Sequence, residues 1–377
     1  MIKVCYVLST SEKTGGANKS LLEFLGNLDR KAVEPHVLLR RRGEIEDELN
    51  KLNISFIVIP FINSVTTGNR LKDVIKKRTA FLTERKVEKY FVSEGFDLIH
   101  NNSLPALAGM EAAYRCRIPY ICHLRENVEV GLGIQFLDKE KHLQIAANAN
   151  AVIAISEYIK KGYSAFIPNI QVMYDGLDTS QYLDQKEILV NDDVTVSIYG
   201  NLDKQKGQHI AVQALEMLRD KGIQNIRLRI IGNLNTEYGK ALQQDVQSKG
   251  VSNVEFISTI QDLKELKRIR KQDDINLTCS SAEGMGRTTI ESMLSGSLTI
   301  GADAGATTEL ITDRETGLLF KTGSAESLAE AICYVISNKA KAREMTRKGQ
   351  ETATQRFSID KYSSRITEIY QNIQKQE

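Results

Sequence analysis

The 377-residue sequence predicts an α/β protein in which two doubly wound domains follow each other along the chain. Short apolar runs alternate with segments of helical periodicity through the first half, and the same alternation begins again near Val194. Such alternation is typical of βαβ units and therefore of parallel sheets. A chain of this length is also long for one hydrophobic core and sufficient for two.

The apolar runs predict strands in chain order. In the first half the predicted strands cover residues 2–9, 35–40, 54–59, 97–101, 118–123, 151–155 and 170–174. In the second half they cover residues 194–199, 226–231, 254–257, 275–279 and 298–300. Helical periodicity between strands is clearest at 17–28 and 104–115. Because the stretch 179–193 is polar, we predict a domain boundary there, with domains 1–184 and 185–358.

The end of the chain is predicted to be almost entirely helical. Its last helix carries apolar residues at helical spacing, namely Tyr362, Ile366, Ile369, Tyr370 and Ile373. On periodicity alone, this face could pack against either domain. The pattern therefore predicts a C-terminal amphipathic helix over 359–377 and leaves its partner open.

Composition and charge exclude several classes of protein. The chain has 50 Lys and Arg against 48 Asp and Glu, a net charge of only +2, whereas dedicated nucleic-acid binders are usually strongly basic. The five cysteines are scattered and form no CxxC pair, which indicates neither a zinc site nor a disulfide framework. We therefore expect reduced thiols and no nucleic-acid partner.

The N-terminus and the lengths of the apolar runs indicate where in the cell the protein is expected to work. Residues 1–8 are predicted to form a first strand and are too short and too quickly polar for a signal peptide. No apolar run is long enough to span a bilayer. We therefore expect a cytoplasmic protein, and a peripheral position on the inner face of the membrane remains open.

The run 280–291 carries the most informative chemistry. Glu283 and Glu291 lie eight positions apart, on either side of a predicted strand-to-helix loop that contains Gly284 and Gly286. The glycines allow close approach to a ligand, and the free N–H groups of a helix start suit a diphosphate. Carboxylates repel phosphate but accept hydrogen bonds from sugar hydroxyls. The combination suggests a nucleotide-sugar.

This run resembles the E-x7-E signature of the retaining glycosyltransferases of family four, also called group 1 glycosyltransferases. The downstream runs 305–311 and 316–320 resemble the same family and make the likeness more specific. The resemblance implies the GT-B fold, in which two Rossmann-like domains face each other across a cleft. It also implies that the C-terminal helix crosses back to the first domain.

The resemblance assigns roles to the residues of this run. By it, Glu283 contacts the donor sugar and Glu291 holds the ribose of the nucleotide. The amides around Met285, Gly286 and Arg287, after Gly284, would meet the diphosphate.

A second glycine-containing loop follows the first predicted strand. Residues 14–22, which include Gly15 and Gly16, resemble the family's Gly-Gly-Ala-x-x-x-Leu loop. By that resemblance Gly16 lies near the donor phosphates or the acceptor. A tight turn without a ligand is the alternative. No GxGxxG fingerprint follows this strand, which argues against a dinucleotide oxidoreductase.

The second domain begins with a candidate phosphate ligand. Residues 200–207 resemble the family's Gly-Arg-Leu-x-x-x-Lys-Gly motif, with Lys206 as the cation that faces the β-phosphate of the donor. Asn201 stands where the family usually has arginine, and it supplies neither charge nor a bidentate fork. Either Lys204 or Arg287 compensates, or phosphate stabilisation is weaker here.

Residues 119–126 end the fifth predicted strand. Many members of the family carry here a His-Asp pair that touches the donor sugar, and Arg125 and Glu126 occupy that place in this chain. His123 lies two residues before Arg125, so both side chains point to the same face of the strand. His123 is either an acceptor-side ligand or a core residue, and Arg125 is a catalytic candidate that would bind an acidic group.

The segment 70–90 is basic and amphipathic, with eight Lys and Arg against three acidic residues and several apolar side chains. Such a segment can rest on anionic lipid, which would make it a peripheral membrane contact. The alternative is an ordinary surface helix in water.

The resemblance implies an enzyme that moves a hexosyl or N-acetylhexosaminyl group from a nucleoside-diphosphate sugar to an acceptor hydroxyl with retention. The acceptor would be a glycan or a lipid-linked glycan of bacterial cell-surface polysaccharide synthesis, and no metal or other cofactor is expected. Two alternatives stay open because fold does not determine function. They are a nucleotide-sugar epimerase or hydrolase of the same fold, and a non-catalytic nucleotide-sugar binding protein, suggested by Asn201 and Arg125.

Overall fold

The computed structural model describes residues 1–13, 15–131 and 133–375. Thr14 of the predicted glycine loop, and the last two residues of the predicted C-terminal helix, lie outside the described residues. The chain divides into two compact units, Met1–Leu177 with Ser358–Glu377, and Asp178–Phe357. The predicted boundary at 184–185 lies a few residues inside the second unit.

Within the described residues, the first unit contains a seven-stranded parallel sheet. Its strands are β1 (Ile2–Leu8), β2 (Val33–Leu39), β3 (Ser55–Val58), β4 (Leu98–Asn101), β5 (Tyr120–Leu124), β6 (Ala151–Ala154) and β7 (Ile170–Val172). The helices between them are α1 (Gly16–Gly26), α2 (Ile45–Lys51), α3 (Arg70–Glu94), α4 (Leu107–Cys116), α5 (Lys139–Ala147) and α6 (Glu157–Tyr163). The strand order is β3-β2-β1-β4-β5-β6-β7, so the direction of winding reverses between β1 and β4.

The second unit repeats this plan with a six-stranded parallel sheet. Its strands are β8 (Val194–Tyr199), β9 (Ile226–Gly232), β10 (Val254–Ser258), β11 (Ile275–Thr278), β12 (Leu298–Ala302) and β13 (Leu318–Phe320). Its helices are α7 (Thr179–Tyr182), α8 (Gln208–Asp220), α9 (Glu237–Ser248), α10 (Leu263–Arg270), α11 (Arg287–Leu294), α12 (Thr307–Leu310), α13 (Ala325–Ser337) and α14 (Lys339–Arg356). The order β10-β9-β8-β11-β12-β13 places the reversal between β8 and β11.

The last helix, α15 (Ile359–Gln374), returns to the first unit. Tyr362, Ile366, Tyr370 and Ile373 are buried in the core of that unit, and Ile369 packs against it half-buried. The apolar face that the periodicity predicted is thus accounted for by packing on the N-terminal sheet. The predicted fold class, with two doubly wound units and a returning terminal helix, is confirmed.

None of the helices in the part of the chain that the structure describes is long and apolar enough to cross a membrane.

Candidate active site

The candidate site of the second unit lies at the reversal point of its sheet. Strands β8 and β11 are neighbours, and the loops 200–207 and 279–286 leave their carboxyl ends side by side. Ligands of open α/β sheets bind at this place. Here the Lys206 Nζ donates a hydrogen bond to Glu283 Oε2 over 2.8 Å. The fold therefore brings together two residues that the sequence assigned to the same donor from separate motifs.

Lys206 is positioned by a tight contact between these two loops. It ends the 3₁₀ turn Lys204–Lys206, which Asp203 caps by accepting a hydrogen bond from the Lys206 amide over 3.0 Å. Gly207 follows with a φ of +71°, and a Cβ there would lie 2.5 Å from the carbonyl oxygen of Cys279. A larger residue at Gly207 would separate the loops, so this glycine is required by packing.

Glu283 is held through its backbone. Its carbonyl accepts a hydrogen bond from the Ala306 amide over 2.8 Å, and a Cβ on Gly305 would lie 2.6 Å from the same oxygen. Gly286 has a φ of +86° at the start of α11, and a Cβ there would lie 2.7 Å from Leu310 Cδ1. The run 305–311, which supported the family resemblance, thus serves to support the loop that carries Glu283.

The Lys206–Glu283 pair is partly open to solvent, with side chains 34% and 15% exposed. Burial lowers the pKa of Lys206, but the Glu283 carboxylate more than offsets this, so that pKa is raised overall. Lys206 is therefore a cation at neutral pH. Its charge is matched by the Glu283 carboxylate beside it.

Glu291 lies deeper, with 3% of the residue exposed. Its Oε2 accepts a hydrogen bond from Arg270 Nη2 over 2.8 Å, and its Oε1 accepts one from Arg287 Nε over 3.1 Å. Arg270 stacks on the Tyr199 ring, 4.1 Å from its centroid, and Arg287 also reaches the Tyr182 hydroxyl over 3.3 Å. Two guanidinium groups thus fix the orientation of the Glu291 carboxylate.

The sequence did not identify Arg270. It is the last residue of the basic helix α10 and belongs to no motif, so only its burial against Glu291 distinguishes it from the surface cations around it.

The remaining residues of the E-x7-E run surround the start of α11. Gly284 and the buried Met285 belong to the loop before it, Gly286 caps it and Arg287 is its first residue. A helix start carries partial positive charge, which suits a phosphate group. The predicted contacts of these amides with a diphosphate, and of Glu291 with a ribose, remain predictions.

Asn201 is exposed after β8, and its carbonyl accepts a hydrogen bond from Gln208 Nε2 over 3.0 Å. Of the two cations considered as substitutes for the missing arginine, Arg287 is already bound to Glu291 and Tyr182. Lys204 is exposed in the same loop as Asn201, and compensation by either cation remains a prediction.

The reversal point of the first sheet carries a short chain of polar side chains. Ser9 follows β1 and donates its hydroxyl proton to Ser103 Oγ over 3.0 Å, and Ser103, after β4, donates to Glu126 Oε1 over 2.7 Å. Burial raises the pKa of Glu126, although Ser103 and Arg125 act in the opposite direction. From the sequence, Glu126 was distinguished only because it replaces one residue of the family's His-Asp pair. Its contact with Ser103, and through it with Ser9, could not be predicted because these residues are distant in sequence.

Gly16 is the first residue of α1, and Gly15 precedes it as the N-cap. Among the described residues, nothing lies within 4 Å of a Cβ built on either glycine. The buried Asn18 holds the preceding loop by donating hydrogen bonds to the carbonyls of Thr10 and Glu12 over 3.3 and 2.7 Å. Packing within the protein therefore does not require glycine here, and a ligand has room to approach the backbone.

His123 does not reach the surface of the unit. Its ring is fully buried, and its Nδ1 lies 3.1 Å from Nε2 of His100, whose Nδ1 lies 2.6 Å from the Tyr370 hydroxyl of α15. Burial, with the nearby Arg125, lowers the pKa of His100 to about 3 and that of His123 well below its usual value. The prediction of an acceptor-side role for His123 is corrected, because a neutral ring with no exposed surface is a core residue.

Arg125 is likewise internal. Its Nη1 lies 2.7 Å from Asp175 Oδ2, its Nε donates to Asn102 Oδ1 over 2.9 Å, and both charged side chains are almost fully buried. Burial lowers the pKa of Arg125, but Asp175 more than offsets it. The predicted catalytic role of Arg125 is therefore corrected: this residue belongs to a buried ion pair of the first unit.

Among the residues described, no group of three or more His, Cys, Asp or Glu side chains is arranged to hold a metal ion. The expectation that the chemistry needs no metal remains a prediction.

Two family models match consecutive parts of the chain. The model described as "Glycosyltransferase Family 4" matches residues 14–181, and the model described as "Glycosyl transferases group 1" matches residues 181–352.

The relatives found by sequence comparison have low identity to this chain. The chain is 26% identical over 182 residues to the lipopolysaccharide core biosynthesis mannosyltransferase LpcC of Rhizobium leguminosarum bv. viciae, covering 47% of this chain and 51% of LpcC. It is 22% identical over 325 residues to the capsular polysaccharide biosynthesis glycosyltransferase CapM of Staphylococcus aureus, covering 84% and 78%. The chain thus spans about half the length of LpcC and most of CapM.

Among solved structures, that of Anabaena Alr3699/HepE in complex with UDP has a TM-score of 0.79 at 23% identity, covering 99% of this chain and 100% of that one. The same protein in complex with UDP-glucose has a TM-score of 0.78 at 24% identity, with the same coverage. These likenesses show that the fold is shared.

Proposed function

Because the chain belongs to the group 1 glycosyltransferases of family 4, we propose that it is a retaining enzyme that uses a nucleoside-diphosphate sugar as donor. It transfers a hexosyl or N-acetylhexosaminyl group to an acceptor hydroxyl. The observation that carries this proposal is the 2.8 Å pair of Lys206 and Glu283 at the reversal point of the second sheet. This pair supports the proposal because a cation suited to a leaving phosphate lies beside a carboxylate suited to sugar hydroxyls.

In the proposed reaction, the bond between the anomeric carbon and the β-phosphate oxygen breaks. The acceptor oxygen bonds to that carbon on the same face of the sugar, and its proton passes to the leaving phosphate. Negative charge grows on the diphosphate as the sugar leaves, and Lys206 stabilises it. Glu283 positions the sugar through its hydroxyls, and no protein side chain is assigned as nucleophile.

Donor binding requires Lys206 to exchange its contact with Glu283 for one with the diphosphate. Lys206 is paired with Glu283, so an incoming diphosphate competes with the carboxylate for this cation. A sugar whose hydroxyls donate to Glu283 compensates that carboxylate for the contact it loses. The site therefore favours a donor with both a diphosphate and a sugar over either part alone.

We further propose a place for the reaction. The relatives named for lipopolysaccharide core and capsular polysaccharide biosynthesis support a glycan or lipid-linked acceptor of the bacterial cell surface. The complexes of Alr3699/HepE with UDP and UDP-glucose support a nucleotide-sugar as the class of donor. The cysteines of this chain are free, as expected of a protein that works in the reducing cytoplasm.

A thermal-shift panel of UDP-, GDP-, ADP- and dTDP-sugars tests donor binding, since a ligand that binds only the native state raises apparent stability. We expect a shift with one nucleotide class in the wild type and a smaller shift in Glu291→Ala and Lys206→Met. Each shift is measured against the same variant without ligand, because Glu291→Ala leaves Arg270 buried without its carboxylate partner and lowers stability by itself. No shift with any donor would contradict the proposal.

Turnover with and without acceptors separates the alternatives. A transferase consumes donor rapidly only when the acceptor hydroxyl is present. An epimerase or hydrolase of this fold would turn over its donor alone, and a non-catalytic binding protein would bind donor without turnover under any acceptor.

A further inference from the structure

The helix α3 (Arg70–Glu94) carries apolar side chains on its solvent side. Leu71, Val74, Ile75, Phe81 and Leu82, which we call the outer face of α3, are between 45% and 78% exposed. Large apolar residues scattered singly on a surface are normal, but a group of them on one element usually marks a binding site. The outer face of α3 therefore calls for an explanation.

The spacing shows that these residues form one stripe. Positions 71, 74, 75 and 82 recur at helical intervals, with Arg78 at the intervening place in the same stripe. On most surface helices such a stripe faces the core. Here the side chains of this stripe face away from the protein.

Polar contacts on the opposite side of the helix fix this orientation. Asp73 accepts hydrogen bonds from the amide and the hydroxyl of Thr67, both over 2.8 Å. Lys76 Nζ donates to the carbonyl of Val65 over 2.7 Å. Further along the helix, Val87 is fully buried. The helix cannot rotate to bury its apolar stripe without breaking these contacts.

Most of the positive charge of the segment 70–90 is exposed, although Lys76 binds the carbonyl of Val65 and Lys77 pairs with Asp138 over 2.9 Å. The segment 70–90 carries eight Lys and Arg and three acidic residues, a net charge of +5 in a chain whose total is +2. Its acidic residues do not face the stripe: Asp73 binds Thr67, while Glu84 and Glu88 pair with Arg115 of α4. The outer face is thus apolar with a cationic border.

This combination identifies the partner by its chemistry. We propose that the outer face of α3 binds the surface of an anionic lipid bilayer, with its apolar side chains in the headgroup boundary and its cations near lipid phosphates. Exposed apolar side chains beside cations bind such surfaces by burying apolar area and by attraction to anionic lipid. A second copy of this chain fits poorly, because symmetric pairing would bring the same cations together. This proposal is independent of the transferase activity.

The absence of tryptophan from the sequence allows a direct test with the full-length protein. Leu82→Trp, at a position 53% exposed, introduces the sole tryptophan of the chain on the outer face. Leu263→Trp, at a position 46% exposed on α10, is the matched control. The probes are vesicles of phosphatidylcholine alone and vesicles with equal parts of phosphatidylcholine and phosphatidylglycerol. We expect a blue shift of the tryptophan fluorescence, and its quenching by brominated lipid, only for Leu82→Trp on anionic vesicles.

Vesicle flotation of two further variants separates the apolar and ionic contributions. Ile75→Gln with Leu82→Gln removes apolar area, and Arg78→Gln with Lys86→Gln removes two cations. A cation at an anionic surface changes the partition coefficient by about fivefold, so losing two should lower it on the order of tenfold to thirtyfold. Met217→Gln with Leu263→Gln, on other exposed apolar positions, should bind like the wild type.

Three results would overturn the proposal. The first is no binding of the wild type to anionic vesicles at low salt. The second is equal binding by the wild type and both α3 variants, which would locate the membrane contact elsewhere. The third is a wild-type dimer that the Ile75→Gln, Leu82→Gln variant converts to a monomer, which would make the outer face a self-association surface. Circular dichroism of each variant checks that the fold is retained.

Discussion

The Lys206–Glu283 pair allows the two proposed roles to be measured separately. Lys206→Met and Glu283→Gln each remove one charge with little change in side-chain length, and the double variant completes a cycle. If Lys206 serves the diphosphate and Glu283 the sugar, the two substitutions should have opposite effects on binding of the free nucleoside diphosphate. Both should slow sugar transfer.

For Lys206→Met we expect a large loss of rate. Removing one positioned group that stabilises developing negative charge costs about 10²–10³-fold in kcat, or about 2.7–4 kcal/mol. The substitution also leaves Glu283, now without its partner at 2.8 Å, facing the diphosphate. Nucleoside-diphosphate affinity should therefore fall as well.

For Glu283→Gln the expected change in nucleoside-diphosphate affinity has the opposite sign. Two unit charges 4 Å apart interact by about 1 kcal/mol in water and by about 4 kcal/mol at an effective dielectric constant of about 20. Because Lys206 is 34% and Glu283 15% exposed, solvent screening favours the lower figure. Freeing Lys206 should thus tighten binding of the nucleoside diphosphate by about 1 kcal/mol, or about fivefold in Kd.

Isothermal titration with the nucleoside diphosphate, and initial rates with the donor found in the thermal-shift panel, measure these effects. Arg268→Gln, which breaks the exposed 2.7 Å Arg268–Glu265 pair on α10, is the control and should change neither quantity. The reasoning is refuted if Glu283→Gln weakens nucleoside-diphosphate binding as much as Lys206→Met does. It is also refuted if either variant transfers sugar within about twofold of the wild-type rate, far below the loss expected for such a group.

Three further predictions concern stability. Asp175→Asn leaves Arg125 buried without its counter-charge, so the free energy of unfolding measured in urea should fall by about 3–5 kcal/mol. A fall of less than about 1 kcal/mol would contradict the buried ion pair. Gly286→Ala should lower the free energy of unfolding by about 1–3 kcal/mol because of its positive φ and the approach to Leu310, and it should weaken nucleoside-diphosphate binding in the isothermal titration. The pKa of His100 is about 3 when folded and near 6.5 when unfolded, so the unfolded state binds more protons between these values. The stability that neutral His100 contributes should therefore be fully present above pH 6.5. Below that pH the free energy of unfolding should fall by about 1.4 kcal/mol per pH unit for this histidine. Urea midpoints that do not change between pH 7 and 5 would contradict the burial of His100.

Local pattern was sufficient to predict most of the fold. The predicted strands agree with the observed ones to within two residues at each end, because strands of parallel sheets are continuous apolar runs bounded by polar loops. Strand β13 was not predicted, since three residues, Leu318–Phe320, are too few to show a period. In the site, Glu283 and Lys206 could be named from motif resemblance.

Other features depended on which residues come together in three dimensions. Alternation predicts that His123 of β5 and Arg125 just after it point to the same side, but it does not say whether that side meets solvent or α15. Asp175, which lies fifty positions after Arg125, decides that the arginine is internal. The same holds for Arg270, which only the fold brings to Glu291.

The sequence by itself determined the alternation of strands and helices, the two-domain plan and the residues available for donor chemistry, because these depend on short-range periodicity and on residue type. The tertiary structure alone decided which charges are paired, as with Lys206 and Glu283, and which side of α3 faces the protein. The physical reason is that a helical period is identical whether its apolar stripe points inward or outward. Contacts from other segments, here Thr67 and Val65 on Asp73 and Lys76, select the direction.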